Sequence, residues 1–121
     1  MKKRILVVDD DPDMADSIAS LLKDEGFETT YVLNGNEAIK KVSEFQPEVI
    51  LLDIAMPGMD GYDTLKSLKK EGLKSPIIII TAYRDGTMNE RALACLKEGA
   101  YTVIYKPFDP EELISLLKEA L

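Results

Sequence analysis

Three apolar runs in the sequence each end in ionisable residues that could bind a metal ion and a phosphoryl group. Residues 5–8 lead into Asp9-Asp10-Asp11, residues 49–52 lead into Asp53, and residues 103–105 lead into Lys106. Short aliphatic runs of this kind are typical of buried parallel strands. Ligands of an open α/β sheet bind at the carboxyl ends of its strands. We therefore expect carboxylates and one ammonium group to meet at one edge of a sheet, in a pocket suited to a divalent cation and a phosphoryl group.

The elements that must position these residues alternate regularly along the chain. The predicted strands are residues 5–8, 29–33, 49–52, 77–80 and 102–105. Each is followed by a segment with apolar residues at helical spacing. Asp11-Pro12 and Asp109-Pro110 each combine a capping residue with a first-turn proline, and Thr87 and Glu90 have capping-box spacing. The alternation predicts an α/β fold with helices on both faces of a parallel sheet.

Composition limits the functional classes that remain. The 121 residues indicate one domain over residues 1–121, and the net charge of −7 argues against a nucleic-acid surface. The chain has no histidine, which removes the usual zinc ligand and any role as a histidine phosphodonor. Cys95 is the only cysteine, so an internal disulfide is excluded and a buried thiol is expected. Neither a signal peptide nor a membrane-length apolar run is present, which predicts a cytoplasmic protein without membrane contact.

The motifs at the strand ends resemble those of the receiver domains of bacterial two-component response regulators. They are VVDDD at residues 7–11, LLDIAMPGMDG at 51–61, ITA at 80–82 and KPF at 106–108. The resemblance covers essentially the whole chain. It implies a (βα)5 flavodoxin-like, doubly wound parallel sheet with strand order 2-1-3-4-5. It also implies a signalling module controlled by phosphorylation rather than a turnover enzyme.

The same resemblance assigns roles to the acidic residues. It implies that Asp53 accepts the phosphoryl group from the phosphohistidine of a sensor histidine kinase or phosphotransfer protein. It further implies a Mg²⁺ site formed by Asp53, Asp10, Asp9 through a water molecule, and the backbone carbonyl of Ala55. Without the resemblance, Asp9 and Asp10 could instead cap the following helix, although Asp11 is better placed to do so.

Two further residues receive roles from the resemblance. Lys106 is expected to pair with Asp53 and then with a phosphoryl oxygen, and the bond from Lys106 to Pro107 is usually cis in the family. Thr81 resembles the hydroxyl residue that moves to the phosphoryl group when the domain switches. Taken alone, Lys106 could be a solvated lysine at a strand end, and Thr81 an ordinary strand residue.

Two features differ from the family pattern. Val103 occupies the position, three residues before the lysine, where the family usually has Tyr or Phe. The segment from Thr81 to Gly99 is longer than usual, which predicts an enlarged loop at residues 84–86. The expected output partners are a downstream protein target or an effector domain, together with a homodimer through the fourth helix, fifth strand and fifth helix.

Two other functions are compatible with parts of the sequence. A Mg²⁺-dependent phosphatase of the haloacid dehalogenase type also has a D-x-D motif after its first strand, as in Asp9-Asp10-Asp11, followed by later residues placed like Thr81 and Lys106. No strand follows Lys106 to carry the final acidic motif of such enzymes, and Asp53 has no role in them. A degenerate receiver that acts only by docking would lack Asp10, Asp53 or Lys106, and all three are present.

Overall fold

The computed structural model describes residues 2–54, 61–82 and 86–121, without the side chains of residues 86–89. The strands are β1 (Arg4–Val8), β2 (Glu28–Val32), β3 (Val49–Asp53), β4 (Ile77–Ala82) and β5 (Thr102–Lys106). The helices are α1 (Pro12–Asp24), α2 (Gly35–Phe45), α3 (Gly61–Lys70), α4 (Gly86–Lys97) and α5 (Pro110–Ala120).

The five strands form one parallel sheet in the order β2-β1-β3-β4-β5. This confirms the fold class and the strand order that were expected. β3 is the central strand, and its last residue, Asp53, pairs with Ile80 of β4. On the other side of β4, Ala82 pairs with Lys106 at the end of β5. The register therefore brings the ends of β3, β4 and β5 together at one edge.

Two apolar clusters stabilise the sheet, one on each face. Alternate side chains of β1 divide between them: Ile5 and Val7 pack in the cluster that includes residues of α1 and α5, and Leu6 and Val8 pack in the cluster that includes residues of α2, α3 and α4. Cys95 of α4 is fully buried in the second cluster, as predicted. In the part of the chain that the structure describes, no helix has the length and apolar character needed to cross a bilayer.

The predicted elements are confirmed, but several of their ends differ. β1 and β2 each begin one residue earlier than predicted, β3 and β5 end one residue later, and β4 ends two residues later. Asp11 caps α1 by accepting hydrogen bonds from the backbone N–H groups of Asp13 and Met14. The predicted cap at Thr87 is wrong, because α4 already begins at Gly86 and Thr87 lies in its first turn. β2 ends one residue earlier than predicted, because the N–H of Leu33 donates to Glu37 Oε2 of α2, 3.1 Å away. The loop predicted to be enlarged at residues 84–86 lies mostly outside the described residues.

Candidate functional site

The predicted site residues lie together at the carboxyl edge of the sheet. Asp9 directly follows β1, Asp53 ends β3, Thr81 lies near the end of β4 and Lys106 ends β5. All the strands are parallel, so these residues reach the same edge although up to 97 positions separate them in the chain. Ala55, the remaining predicted ligand, lies outside the described residues.

Lys106 connects two of the buried carboxylates. Its Nζ atom lies 3.2 Å from Asp9 Oδ2 and 3.5 Å from Asp53 Oδ2. The side chains of Asp9 and Asp53 are only 3% and 8% exposed, so these charges have little solvent around them. Burial on its own lowers the pKa of Lys106, but the charges of Asp53 and Asp9 outweigh it and raise the pKa above that of a free lysine.

Because its pKa is raised, Lys106 makes the stability of the fold depend on pH in a definite direction. A lysine with a raised folded-state pKa stabilises the fold fully at pH values below its unfolded pKa. That contribution is lost only as the pH rises through the folded-state pKa, in the alkaline range. The ammonium group is therefore charged at neutral pH.

Backbone hydrogen bonds fix the orientation of Asp9. Its Oδ1 accepts a hydrogen bond of 3.0 Å from the N–H of Asp11, and its own N–H donates to the carbonyl of Val32 at 3.2 Å. One carboxylate oxygen is thus held by the start of α1 while the other contacts Lys106. The carboxylate of Asp11 is used as the α1 cap, as predicted, so Asp9 and Asp10 are left for the site.

Three carboxylates converge in a way that suits a hard divalent cation. Asp9, Asp10 and Asp53 each offer an oxygen, and these oxygens lie within 4.8 Å of one another. Asp10 is half-buried and the other two are buried. Among the described residues, three carboxylates beside one ammonium group leave excess negative charge, which is costly at buried positions without a further cation. Carboxylate oxygens are the ligands that Mg²⁺, Ca²⁺ and Mn²⁺ prefer, so the donor set fits a metal of this class.

Thr81 supplies a hydroxyl group next to this cluster. It directly follows Ile80, the residue that pairs with Asp53, and it is fully buried. Within the described part of the chain, its Oγ1 atom has no hydrogen-bond partner. A buried hydroxyl without a partner is unfavourable, so this group is ready to bind an acceptor that enters the site. Val103, at the position where an aromatic residue was expected from the family, packs against the cluster of α2, α3 and α4.

Gly61 makes a close contact with the strand that carries Asp53, which the sequence did not indicate. Its N–H donates to the carbonyl of Ile54 at 3.3 Å. A Cβ atom at this position would lie 2.7 Å from the carbonyl oxygen of Asp53 and would overlap the Cα atom of Ile54. Only glycine allows α3 to begin this close to the end of β3.

An apolar groove of about 540 Å³ opens beside the site, and sequence analysis also missed it. Residues of α1, β4 and the β5–α5 connection line it: Met14, Ser17, Ile18, Leu21, Ala82, Lys106, Pro107 and Phe108. The Lys106–Pro107 peptide bond is cis, as the resemblance implied. Because Lys106 lines the groove and also contacts Asp53, the groove is continuous with the acidic cluster. The only available signal was the pair Met14 and Leu21 at the border of the buried stripe of α1.

Comparison with known proteins shows one consistent family. The sequence profile of the response regulator receiver domain matches residues 5–118. The DNA-binding response regulator MtrA of Mycolicibacterium smegmatis is 38% identical over 121 residues, which are 100% of this chain and 51% of that protein. The regulatory protein AtoC of Escherichia coli is 36% identical over 118 residues, 98% of this chain and 25% of that protein. The chain thus spans about half the length of the curated MtrA relatives it matches, and less of AtoC.

Solved structures agree with the sequence comparison. The crystal structure of NtrX from Brucella abortus superimposes with a TM-score of 0.90 at 35% identity, covering 100% of this chain and 27% of that one. The chemotaxis protein CheY4 of Vibrio cholerae superimposes with a TM-score of 0.88 at 28% identity, covering 100% of both chains.

Proposed function

Because this chain belongs to the response regulator receiver domain family of two-component signalling, we propose that Asp53 is its phosphoacceptor. The donor in this proposal is the phosphohistidine of a sensor histidine kinase or of a phosphotransfer protein, and the reaction requires Mg²⁺. The domain assists its own phosphorylation and dephosphorylation but turns over no separate substrate. A cytoplasmic location, expected from the sequence, belongs to the same proposal.

The observation that supports Asp53 most strongly is its position between the half-buried ammonium group of Lys106 and two other carboxylates. An oxygen of Asp53 attacks the phosphorus atom, the bond from phosphorus to the imidazole nitrogen breaks, and the electron pair remains on that nitrogen. The product is an acyl phosphate on Asp53. Lys106, which already contacts Asp53 Oδ2, is placed to pair with a phosphoryl oxygen as negative charge collects there.

We assign the metal site to Asp9, Asp10 and Asp53, with the carbonyl of Ala55 as a further ligand in the proposal. Mg²⁺ bound there would neutralise the negative charge of the phosphoryl oxygens and of the attacking carboxylate. Asp9 and Asp53 also bind Lys106, so these carboxylates divide their negative charge between the ammonium group and the cation.

Metal removal gives the direct test of this function. We expect the native chain to gain one phosphoryl group when it is incubated with acetyl phosphate and Mg²⁺, measured by intact mass. Excess EDTA should prevent the gain, because three carboxylates and an approaching phosphoryl group repel one another without the cation. An unchanged mass with Mg²⁺ present would contradict the proposal, and so would an equal gain in EDTA.

The unpaired hydroxyl of Thr81 supports a switch driven by the phosphoryl group. In this proposal a phosphoryl oxygen on Asp53 accepts the Thr81 hydrogen bond and so favours one of two arrangements of the β4–α4 region. The output face consists of α4, β5 and α5, where Leu93 and Leu96 of α4 are 57% and 40% exposed. We propose that this face contacts a downstream target or effector domain, or forms the homodimer.

The groove beside Lys106 supports a docking position for the phosphohistidine donor. Its lining is mostly apolar, and Lys106 joins it to the acidic cluster. A donor helix that packs on Met14, Leu21 and Phe108 would bring its histidine to the edge where Asp53 lies. Apolar contacts at such a groove supply affinity, while the chemistry stays at the strand ends.

A pair of serines on α1 allows this docking position to be tested. Ser17 lines the groove and Ser20 does not, and both are exposed. We expect Ser17→Tyr to slow phosphotransfer from a phosphorylated histidine kinase domain by roughly tenfold, because the ring fills the groove. Ser20→Tyr is the matched control and should keep the native rate.

The same two variants should be measured with acetyl phosphate, which is too small to need a docking surface. If Ser17→Tyr lowers the rate of phosphotransfer from the protein donor but not the rate from acetyl phosphate, the result supports docking at the groove. Equal transfer rates for Ser17→Tyr and Ser20→Tyr would show that the donor docks elsewhere.

A further inference from the structure

Helix α3 carries positive charge in a domain that is otherwise strongly acidic. It contains three lysines and one aspartate, whereas α1 contains three aspartates and one lysine and α5 contains three glutamates and one lysine. With Lys74, which follows α3, the lysines Lys66, Lys69 and Lys70 form a surface that we call the lysine ridge. The net charge of the whole chain is −7, so this concentration of positive charge is local.

The lysines of the ridge are available to a partner. Lys66, Lys70 and Lys74 are exposed, and Lys69 is half-buried. Among the described residues, none of the four lies within ion-pair distance of a carboxylate. Lys66 and Lys70 are four residues apart on the helix, so they are neighbours on its outer face. Two ammonium groups without carboxylate partners therefore lie side by side.

Stabilisation of the α3 dipole does not explain the whole ridge. Lys69 and Lys70 lie in the last turn, where a positive charge stabilises a helix. Lys66 lies further from the carboxyl end, and its Nζ atom is 5.3 Å from the centre of the Tyr62 ring. Lys74 lies beyond the helix altogether. These two lysines extend the positive surface in both directions.

Two grooves border the ridge. The groove towards α2 has a volume of about 500 Å³. Its lining combines apolar groups of Ile39, Val42, Leu68 and Leu73 with polar residues and with the charged residues Glu71 and Lys74. The groove towards α4 has a volume of about 640 Å³ and is lined by Ser67, the three lysines Lys66, Lys69 and Lys70, and the two acidic residues Asp63 and Glu98. The ridge is thus flanked by one groove with a partly apolar lining and by one groove in which three lysines outnumber two acidic residues.

This arrangement fits an acidic amphipathic segment of a partner protein, and we propose that the lysine ridge and the α2 groove form its docking surface. Apolar side chains of the segment would fill the α2 groove while its carboxylates pair with the lysines. Charges separated by more than about 8–10 Å are largely screened at physiological salt, so a short segment interacts mainly with the ridge. A nucleic acid would extend beyond the ridge onto a molecule with net charge −7, which favours the short acidic segment.

The surface lies away from the candidate phosphorylation site. The α2 groove is lined by residues near the carboxyl ends of α2 and α3. These helix ends precede β3 and β4, so they lie at the opposite edge of the sheet from Asp53. An occupied ridge would leave Asp53 open to its donor. The proposal accordingly does not depend on the function proposed for Asp53.

Binding of a designed peptide tests the docking surface. The probe is a fluorescein-labelled helical peptide with leucines on one face and glutamates on the other, measured by fluorescence anisotropy at low and high salt. We expect saturable binding at low salt that weakens as salt increases. Lys66→Glu combined with Lys70→Glu should weaken it by roughly tenfold or more. Lys23→Glu with Lys118→Glu changes the net charge equally, at last-turn lysines of α1 and α5, and should keep the native affinity.

A second variant pair tests the apolar part of the surface. Ser43 is exposed and lines the α2 groove, so Ser43→Trp should fill the groove. The control is Ser115→Trp, at an exposed position of α5. Only Ser43→Trp should weaken peptide binding.

The proposal is wrong if the native chain does not bind the peptide, or if the two lysine pairs behave alike. It is also wrong if a glutamine version binds equally well, or if a single-stranded oligonucleotide binds more tightly than the peptide.

Discussion

Asp53→Asn is expected to lower phosphoryl incorporation from acetyl phosphate and Mg²⁺ by at least about a hundredfold. The amide has nearly the shape of the carboxylate but lacks the anionic oxygen that attacks phosphorus. The side chain is buried at the end of the central strand, where Lys106 and two further carboxylates surround it. Intact mass and the initial rate of incorporation measure the effect directly.

Two further variants make this result specific. Asp16→Asn removes an exposed carboxylate of α1, so it should incorporate phosphoryl groups at the native rate. Asp9→Asn separates the receiver reaction from the phosphatase-like alternative, in which a residue of the first acidic motif is the nucleophile. Incorporation that persists in Asp53→Asn and disappears in Asp9→Asn would assign the phosphoryl group to Asp9. Loss of phosphoryl incorporation in Asp53→Asn, with an unchanged unfolding transition, supports Asp53 as the phosphoacceptor.

Gly61→Ala is expected to have the largest effect on both stability and chemistry away from the charged residues. The new methyl group overlaps the Cα atom of Ile54 and lies close to the carbonyl of Asp53, so α3 and the end of β3 must move apart. Forcing extra volume into a packed region costs about 1–3 kcal/mol of the free energy of unfolding, and we expect the upper part of that range. Displacement of Asp53 should slow phosphoryl incorporation by roughly ten- to a hundredfold.

Gly26→Ala is the control that separates overlap from backbone strain. Gly26 has φ +97° and no neighbouring atom within 4 Å of an added Cβ atom. We expect a loss of about 1–2 kcal/mol from the left-handed conformation alone, with the native rate of phosphoryl incorporation. Urea denaturation and the acetyl phosphate assay compare the two variants. If Gly61→Ala incorporates phosphoryl groups as fast as Gly26→Ala, the contact between α3 and β3 has no part in positioning Asp53.

The sequence predicted the sheet because its signals were local. β1, β3 and β4 each contain a short aliphatic run, and each run that leads into an ionisable residue delivers it to the carboxyl edge. The strand pattern therefore predicts that Asp9, Asp53 and Lys106 lie together. Their roles still rest on the family resemblance and on the experiments above.

Most of the contacts that sequence analysis missed depend on the distance between segments remote in the chain. Nothing in the local pattern shows that Lys106 lies closer to Asp9 than to Asp53, or that Phe108 and Met14 form one groove. The predicted cap at Thr87 was wrong although it relied on a local signal, the capping-box spacing. The observed helix begins one residue earlier, at Gly86. Local patterns predicted the elements well and their exact ends less well.

The division of the apolar residues into two clusters has an evolutionary consequence. The two clusters have no residue in common among those described, and the strands lie between them. Substitutions in the helices of one layer should therefore combine nearly additively with those in the other. Descendants of such a domain could acquire new partners on one layer while the opposite layer and the strand ends stay unchanged. Recombining the layers of two related domains would be a practical route to receivers with new combinations of donor and target.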